Sequence, residues 1–190
     1  GAILSPGTLP FTGATMNITG GLTLNGNTIY CDMSNTPAGA NDKISVGGTL
    51  GLIGAQYFQF LPLQGPLGAG TYDLITATNS TASGVSLTHN LPTDSRQTFA
   101  VLRSAAGSNP SKVWLTVTGN PAILTWTGVT NGTWDTVTAN NWAGASPNTF
   151  YNNDDVLLND TAATRNVTLT GTLAPRTSEI TTTLGYNLSG

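Results

Sequence analysis

One stretch of the chain gathers acidic side chains. Asp154 and Asp155 follow Asn152 and Asn153 directly, with Asp160 close behind. Oxygen-rich runs of this kind suit Ca²⁺, which takes roughly six to eight hard ligands. The spacing matches neither an EF-hand loop nor the Gly-rich nonapeptide of calcium-binding β-rolls. A polar turn between strands is therefore the preferred reading, with Ca²⁺ on Asp154, Asp155 and Asp160 as the alternative, and no other cofactor is expected. Trp126, Trp134 and Trp142 recur every eight residues. They form either an aromatic platform for sugar rings or core filling, and the large area a buried indole removes from water favours the core.

Catalysis asks for more than these residues offer. Glycoside hydrolysis uses two carboxyl groups facing one sugar bond, and a lyase wants a base beside a cation. The nine acids are mostly isolated, Glu179 is the sole Glu, and no Lys or Arg lies near Asp154 in sequence. We expect no enzyme, with a polysaccharide lyase or hydrolase assembled from distant segments as the lesser alternative. His89 lacks the partners of a triad or a metal site. Cys31, after Ile29 and Tyr30, reads as a small buried hydrophobe and cannot form an intrachain disulfide. Six Asn-x-Ser/Thr triplets, among them Asn166-Val167-Thr168, are expected by chance in so Asn- and Thr-rich a chain.

The elements that would carry these residues are strands. Apolar residues alternate in Met16–Thr19, Leu22–Leu24, Lys43–Val46, Tyr72–Thr76, Val113–Thr118 and Val167–Thr170, so each run turns one apolar face to a core. Between them come Thr19-Gly20-Gly21, Asn25-Gly26-Asn27, Val46-Gly47-Gly48, Thr118-Gly119-Asn120 and Thr170-Gly171-Thr172, where Asn and Gly tolerate positive φ. No window holds the spacing of an amphipathic helix, so helix content should be close to nil.

Charge narrows the classes further. Charged residues are 8 % of the 190, and Thr, Ser, Asn and Gly take over the solvated surface. Hydrophobic residues are still 38 %, recurring throughout, which argues against disorder. The net charge is −3 and the six basic residues are scattered, which excludes a phosphate-binding stripe and hence nucleic-acid binding. No apolar run approaches a membrane span, so no direct membrane insertion is expected. The chain opens at Gly1 without an initiator Met or a basic leader, and we expect an excised or processed segment. Gly1-Ala2-Ile3-Leu4-Ser5-Pro6-Gly7-Thr8 and Gly171-Thr172-Leu173-Ala174-Pro175-Arg176-Thr177-Ser178 share one small-apolar-Pro rhythm, which points to a repeat architecture.

Leu124-Thr125-Trp126-Thr127-Gly128, Asn131-Gly132-Thr133-Trp134-Asp135, Asn140-Asn141-Trp142, Phe150 through Leu158 and Val167-Thr168-Leu169 resemble the opening of an autotransporter-associated β-strand repeat block. Leu4-Ser5-Pro6-Gly7, Gly21-Leu22-Thr23-Leu24, Asp42 through Leu50 and Gly68 through Ile75 resemble the closing part of such a block. On this basis residues 1–120 close one block and 121–190 open the next, in a continuous solenoid with a seam near Gly119. The resemblance implies a right-handed parallel β-helix in a large secreted surface passenger, although Arg176 stands where the family more often has Gly. An antiparallel β-sandwich stays open for residues 50–118, where Gln56–Leu61 suits a hairpin arm. The expected role is structural or adhesive, at the bacterial cell surface, extending or displaying through stacked rungs. The expected partners are copies of the chain or adjacent repeats end to end, with surface glycans or Ca²⁺ as alternative ligands.

Overall fold

The computed structural model describes residues 1–7, 12–136 and 139–190. Thr8 of the repeated phrase lies outside them. Among the described residues all the regular structure is β, with no helix, and stacked parallel strands form a β-solenoid of about 5 turns. The chain divides into two units, one of Gly1–Leu91 with Thr98–Thr118 and one of Pro92–Gln97 with Gly119–Gly190. Nothing local in the sequence assigns residues 92–97 to the second unit.

The first unit contains β1 (Ile3–Leu4), β2 (Thr15–Ile18), β3 (Leu22–Asn25), β4 (Thr28–Met33), β5 (Lys43–Pro62), β6 (Gly70–His89), β7 (Thr98–Arg103) and β8 (Ser111–Thr118). β2, β3 and β4 lie in turn along β5, all parallel, and β5 lies parallel along β6. One coil therefore returns to the same place after about 30 residues, as Asn90 does when its side chain bonds the backbone of Phe60, 30 positions earlier. Met16, Ile44 and Ile75 occupy one inward ladder, and Leu22, Leu50 and Ser80 another. Side chains in register on parallel strands share a face, so each apolar alternation in the sequence becomes a column of the core.

β5 and β6 each run for 20 residues, far longer than the short strands the turn signals suggest. They are bent, with register shifts between Val46 and Thr49 and between Ile53 and Ala55. Gly47 and Gly48 make the first corner, and the reason is space, not backbone handedness. A Cβ on Gly47 would sit 2.6 Å from the carbonyl oxygen of Thr19 in the preceding coil. The second corner uses Gly54 at φ 67° and the buried Gln56, whose amide accepts from Asn27 N–H and donates to Ile53 C=O. Buried backbone groups at a bend must find partners somewhere, and Gln56 supplies them.

Residues 50–118 contain both kinds of pairing. Gln56–Leu61 is part of a parallel rung in β5, not a hairpin arm. Residues 98–118 form an antiparallel hairpin, β7 with β8, and β8 lies antiparallel along Gly70–Ala77 of β6. That hairpin closes this stretch of strand edge.

The second unit contains β9 (Ile123–Trp126), β10 (Thr133–Trp134), β11 (Trp142–Ala143), β12 (Asp155–Asn159), β13 (Asn166–Leu169), β14 (Thr177–Thr181) and β15 (Asn187–Ser189). β9, β12 and β14 stack in parallel on one face, and β10, β13 and β15 on another. β11 runs antiparallel along β9 and covers its other edge. The last coil is short: Arg176 meets Asp155 only 21 residues back.

Candidate functional site

The Trp phrase and the acidic run both lie in the second unit, and the first is its core. None of Trp126, Trp134 and Trp142 is more than 5 % exposed. Trp142 makes edge contacts with Trp126 and Trp134 at centroid distances of 5.0 and 5.1 Å, and Trp134 meets Phe150 at 5.4 Å. Edge-to-face geometry sets the positive ring edge on the negative ring face, which stabilises each pair beyond its buried area. The Trp126 indole N–H donates to Thr164 C=O at 2.8 Å. A sugar ring has no face of these indoles to stack on.

The acidic residues do not converge; each is engaged by different partners. Asp154 is fully buried, and its carboxylate accepts from Arg96 Nε at 2.9 Å, Ala122 N–H at 2.8 Å and Tyr151 N–H at 3.0 Å. Arg96 lies over the Tyr151 ring, 4.7 Å from its centroid, and also donates to the carbonyls of Pro147 and Thr149. Asp155 pairs with Arg176 and accepts from the Thr177 hydroxyl. Asp160 is at the surface and accepts from the hydroxyls of Thr182 and Thr183 and from Thr183 N–H. Those bonds hold its carboxyl down at about 2, the Thr182 hydroxyl contributing most. Among the described residues no three His, Cys, Asp or Glu side chains cluster as a metal ion would require.

Sequence reasoning missed Arg96. It lies 58 residues before Asp154, and no local signal links them. The other two acids were within reach of a subtler signal, since their partners lie 21 to 23 residues downstream, one short coil away.

The lone residues of the first unit are structural in their surroundings. His89 accepts Leu91 N–H at Nδ1 and sits between Phe60 and Phe99. Cys31 is buried, and burial pushes its thiol up, with Asp42 and Asp32 adding to the effect. A thiol held protonated is a poor nucleophile. Asp42, also buried, accepts Ala14 N–H at 2.7 Å and Asp32 N–H at 3.0 Å, tying three chain segments together. Burial raises its carboxyl above the usual value against the pull of those two bonds.

Among the described residues, surface grooves offer space. One of about 370 Å³ runs past Arg96, Asn120, Pro147 and Tyr151, another of about 530 Å³ past Val85, Leu87, Val101 and Leu102, and a third of about 470 Å³ past Thr12, Ser34 and Gln64. The residues lining these three include Arg96 and Arg103 and no carboxylate. No helix of the described residues is long and apolar enough to cross a membrane.

The architecture is that of a β-solenoid protein with aromatic and apolar ladders inside and Thr, Ser and Asn outside. The chain matches no known family, and neither a curated protein nor a solved structure matches it.

Proposed function

We propose that this chain is a structural or adhesive segment of a bacterial cell-surface protein, one that extends or displays through stacked β-rungs and performs no catalysis. The observation that carries the reading is the rung-on-rung parallel pairing of β2, β3 and β4 with β5 and of β5 with β6. A coil of this kind buries its apolar face only against its neighbours, so length adds reach at nearly constant cost per coil. Support for the passenger-type resemblance comes from the Trp phrase, whose indoles pack together in the core of the second unit, and from the charge-poor exterior rich in Thr and Asn.

Two sets of measurements test it. Antibodies against the folded segment should label intact cells of the source organism, and surface proteolysis should remove the label; labelling only after permeabilisation would sink the extracellular reading. A glycan array, polysaccharide lyase and hydrolase assays, and melting with and without chelator should all be silent. A specific glycan, a cleaved polymer or a Ca²⁺-dependent melting shift would replace a structural role with a binding or catalytic one.

A further inference from the structure

The chain passes between the two units three times, after Leu91, after Gln97 and after Thr118. Residues 92–97 therefore leave the first unit, join the second and return. Ordering the backbone of so short a segment costs conformational entropy, which its contacts must offset.

Those contacts lie in the second unit, with partners 51 to 58 residues downstream. Arg96 meets Asp154 at 2.9 Å, the two side chains being 10 % and 0 % exposed. Its guanidinium also donates to Pro147 and Thr149 C=O and lies over the Tyr151 ring. Ser95 forms a parallel bridge with Asn152, whose amide donates to Asp94. Gln97 is buried and accepts from Asn153 Nδ2 at 3.4 Å.

The segment that follows has its two ends held on both sides of the crossing. In the first unit β7 pairs with β8 from Thr98 opposite Thr118, and those two hydroxyls bond each other. In the second unit Gln97 Nε2 donates to Gly119 C=O at 3.4 Å. Gly119 also packs so closely that an added Cβ would stand 2.5 Å from the Arg96 carbonyl oxygen. Residues 97 and 119 are neighbours in one unit, and residues 98 and 118 are neighbours in the other.

Each unit thus closes a loop that the other needs closed. Bringing together the ends of residues 98–118, a loop of about 20 residues, costs chain entropy. The docked segment 92–97 meets that cost for the hairpin, and the folded hairpin meets it for the segment. The effect needs no particular orientation of one unit against the other, since each bond lies within a single unit and the covalent chain carries the link.

We propose that residues 92–97 are a strap, locked by Arg96 on Asp154, through which the two units stabilise each other. Release of the strap loosens β7 and β8 in the first unit, and fraying of that hairpin weakens the second, because such coupling is reciprocal. This goes beyond the surface role proposed above and holds wherever the protein acts.

One readout in each unit of the 190-residue protein tests the strap. Hydrogen exchange of β8, whose Val113, Leu115 and Val117 are buried, reports the first unit. In a Trp114→Phe background every remaining Trp lies in the second unit, and fluorescence reports its urea midpoint. Arg96→Met should speed β8 exchange by at least about tenfold, as expected when a loop of that length is no longer held closed. Leu115→Ala should in turn lower the midpoint of the second unit. Val167→Ala, in the core of the second unit and no part of the strap, should lower that midpoint and leave β8 exchange as it was. Should Arg96→Met fail to fold, about six Gly and Ser residues inserted between Gln97 and Thr98 keep the strap's own bonds, add slack and still raise β8 exchange several-fold. Unchanged β8 exchange in a folded strap variant would overturn the proposal. So would an unmoved midpoint in Leu115→Ala, or an effect of Val167→Ala on β8 as large as that of Arg96→Met.

Discussion

At the scale of single residues, burial decides what an ion pair is worth. Arg96–Asp154 and Arg176–Asp155 have the same chemistry, but the first is closed off from solvent and the second is partly exposed. Removing one member of a buried pair strands a charge and costs about 3–5 kcal/mol, whereas surface pairs contribute about 0–1 kcal/mol. Urea unfolding should therefore show a large loss for Arg96→Met and a small one for Arg176→Met; similar losses would contradict the burial argument. The carboxyls predict pH effects of opposite sign. Asp160 is held below its ordinary value, so its stabilisation is present above about 4 and is lost as pH falls toward about 2. Asp42 is raised, so its cost grows as pH climbs through and above the ordinary carboxylate range. Thermal melts across acid pH should show Asp160→Asn removing part of the loss between about 4 and 2. An unchanged profile would mean the Thr182 and Thr183 bonds do not persist in solution. The acidic run was visible in the sequence; its dispersal onto separate partners was not, because Arg96 arrives from 58 residues away.

At the scale of elements, the turn phrases were legible but their physical reasons differ. Gly26 and Gly119 have positive φ, as an Asn-Gly or Gly-Asn turn suggests, and so has Gly171 between two threonines. Gly47 is needed for room instead. Gly47→Ala should destabilise by about 1–3 kcal/mol through overpacking against Thr19, while Gly20→Ala, with nothing within 4 Å of its added carbon, should be close to neutral. Chemical denaturation of the pair checks this, and equal costs would refute the inter-coil contact. Sequence alternation found every strand face it was asked about. It could not tell that Lys43–Val46 and the apolar residues through Leu61 belong to one bent strand, since a corner interrupts periodicity without interrupting the hydrogen-bonded ladder.

At the scale of the molecule, protection should follow the distance of a coil from an open edge. Every residue of β14 and β15 is exposed, while β5 is paired on both sides. In hydrogen exchange the amides of β14 and β15 should exchange first and those of β5 last. Equal exchange in β5 and β14 would contradict the ordering. The sequence by itself determined an all-β chain with apolar columns inside and a charge-poor polar exterior, because strand alternation, Gly and Asn turns and charge content are local properties. Whether strands pair in parallel or antiparallel is not local. Tertiary structure decided that residues 50–89 coil while 98–118 fold back as a hairpin, buried the three indoles against one another, and gave Asp154 its arginine. Each of those depends on which segments the fold brings side by side, 30 residues apart for Phe60 and Asn90 and 58 for Arg96 and Asp154.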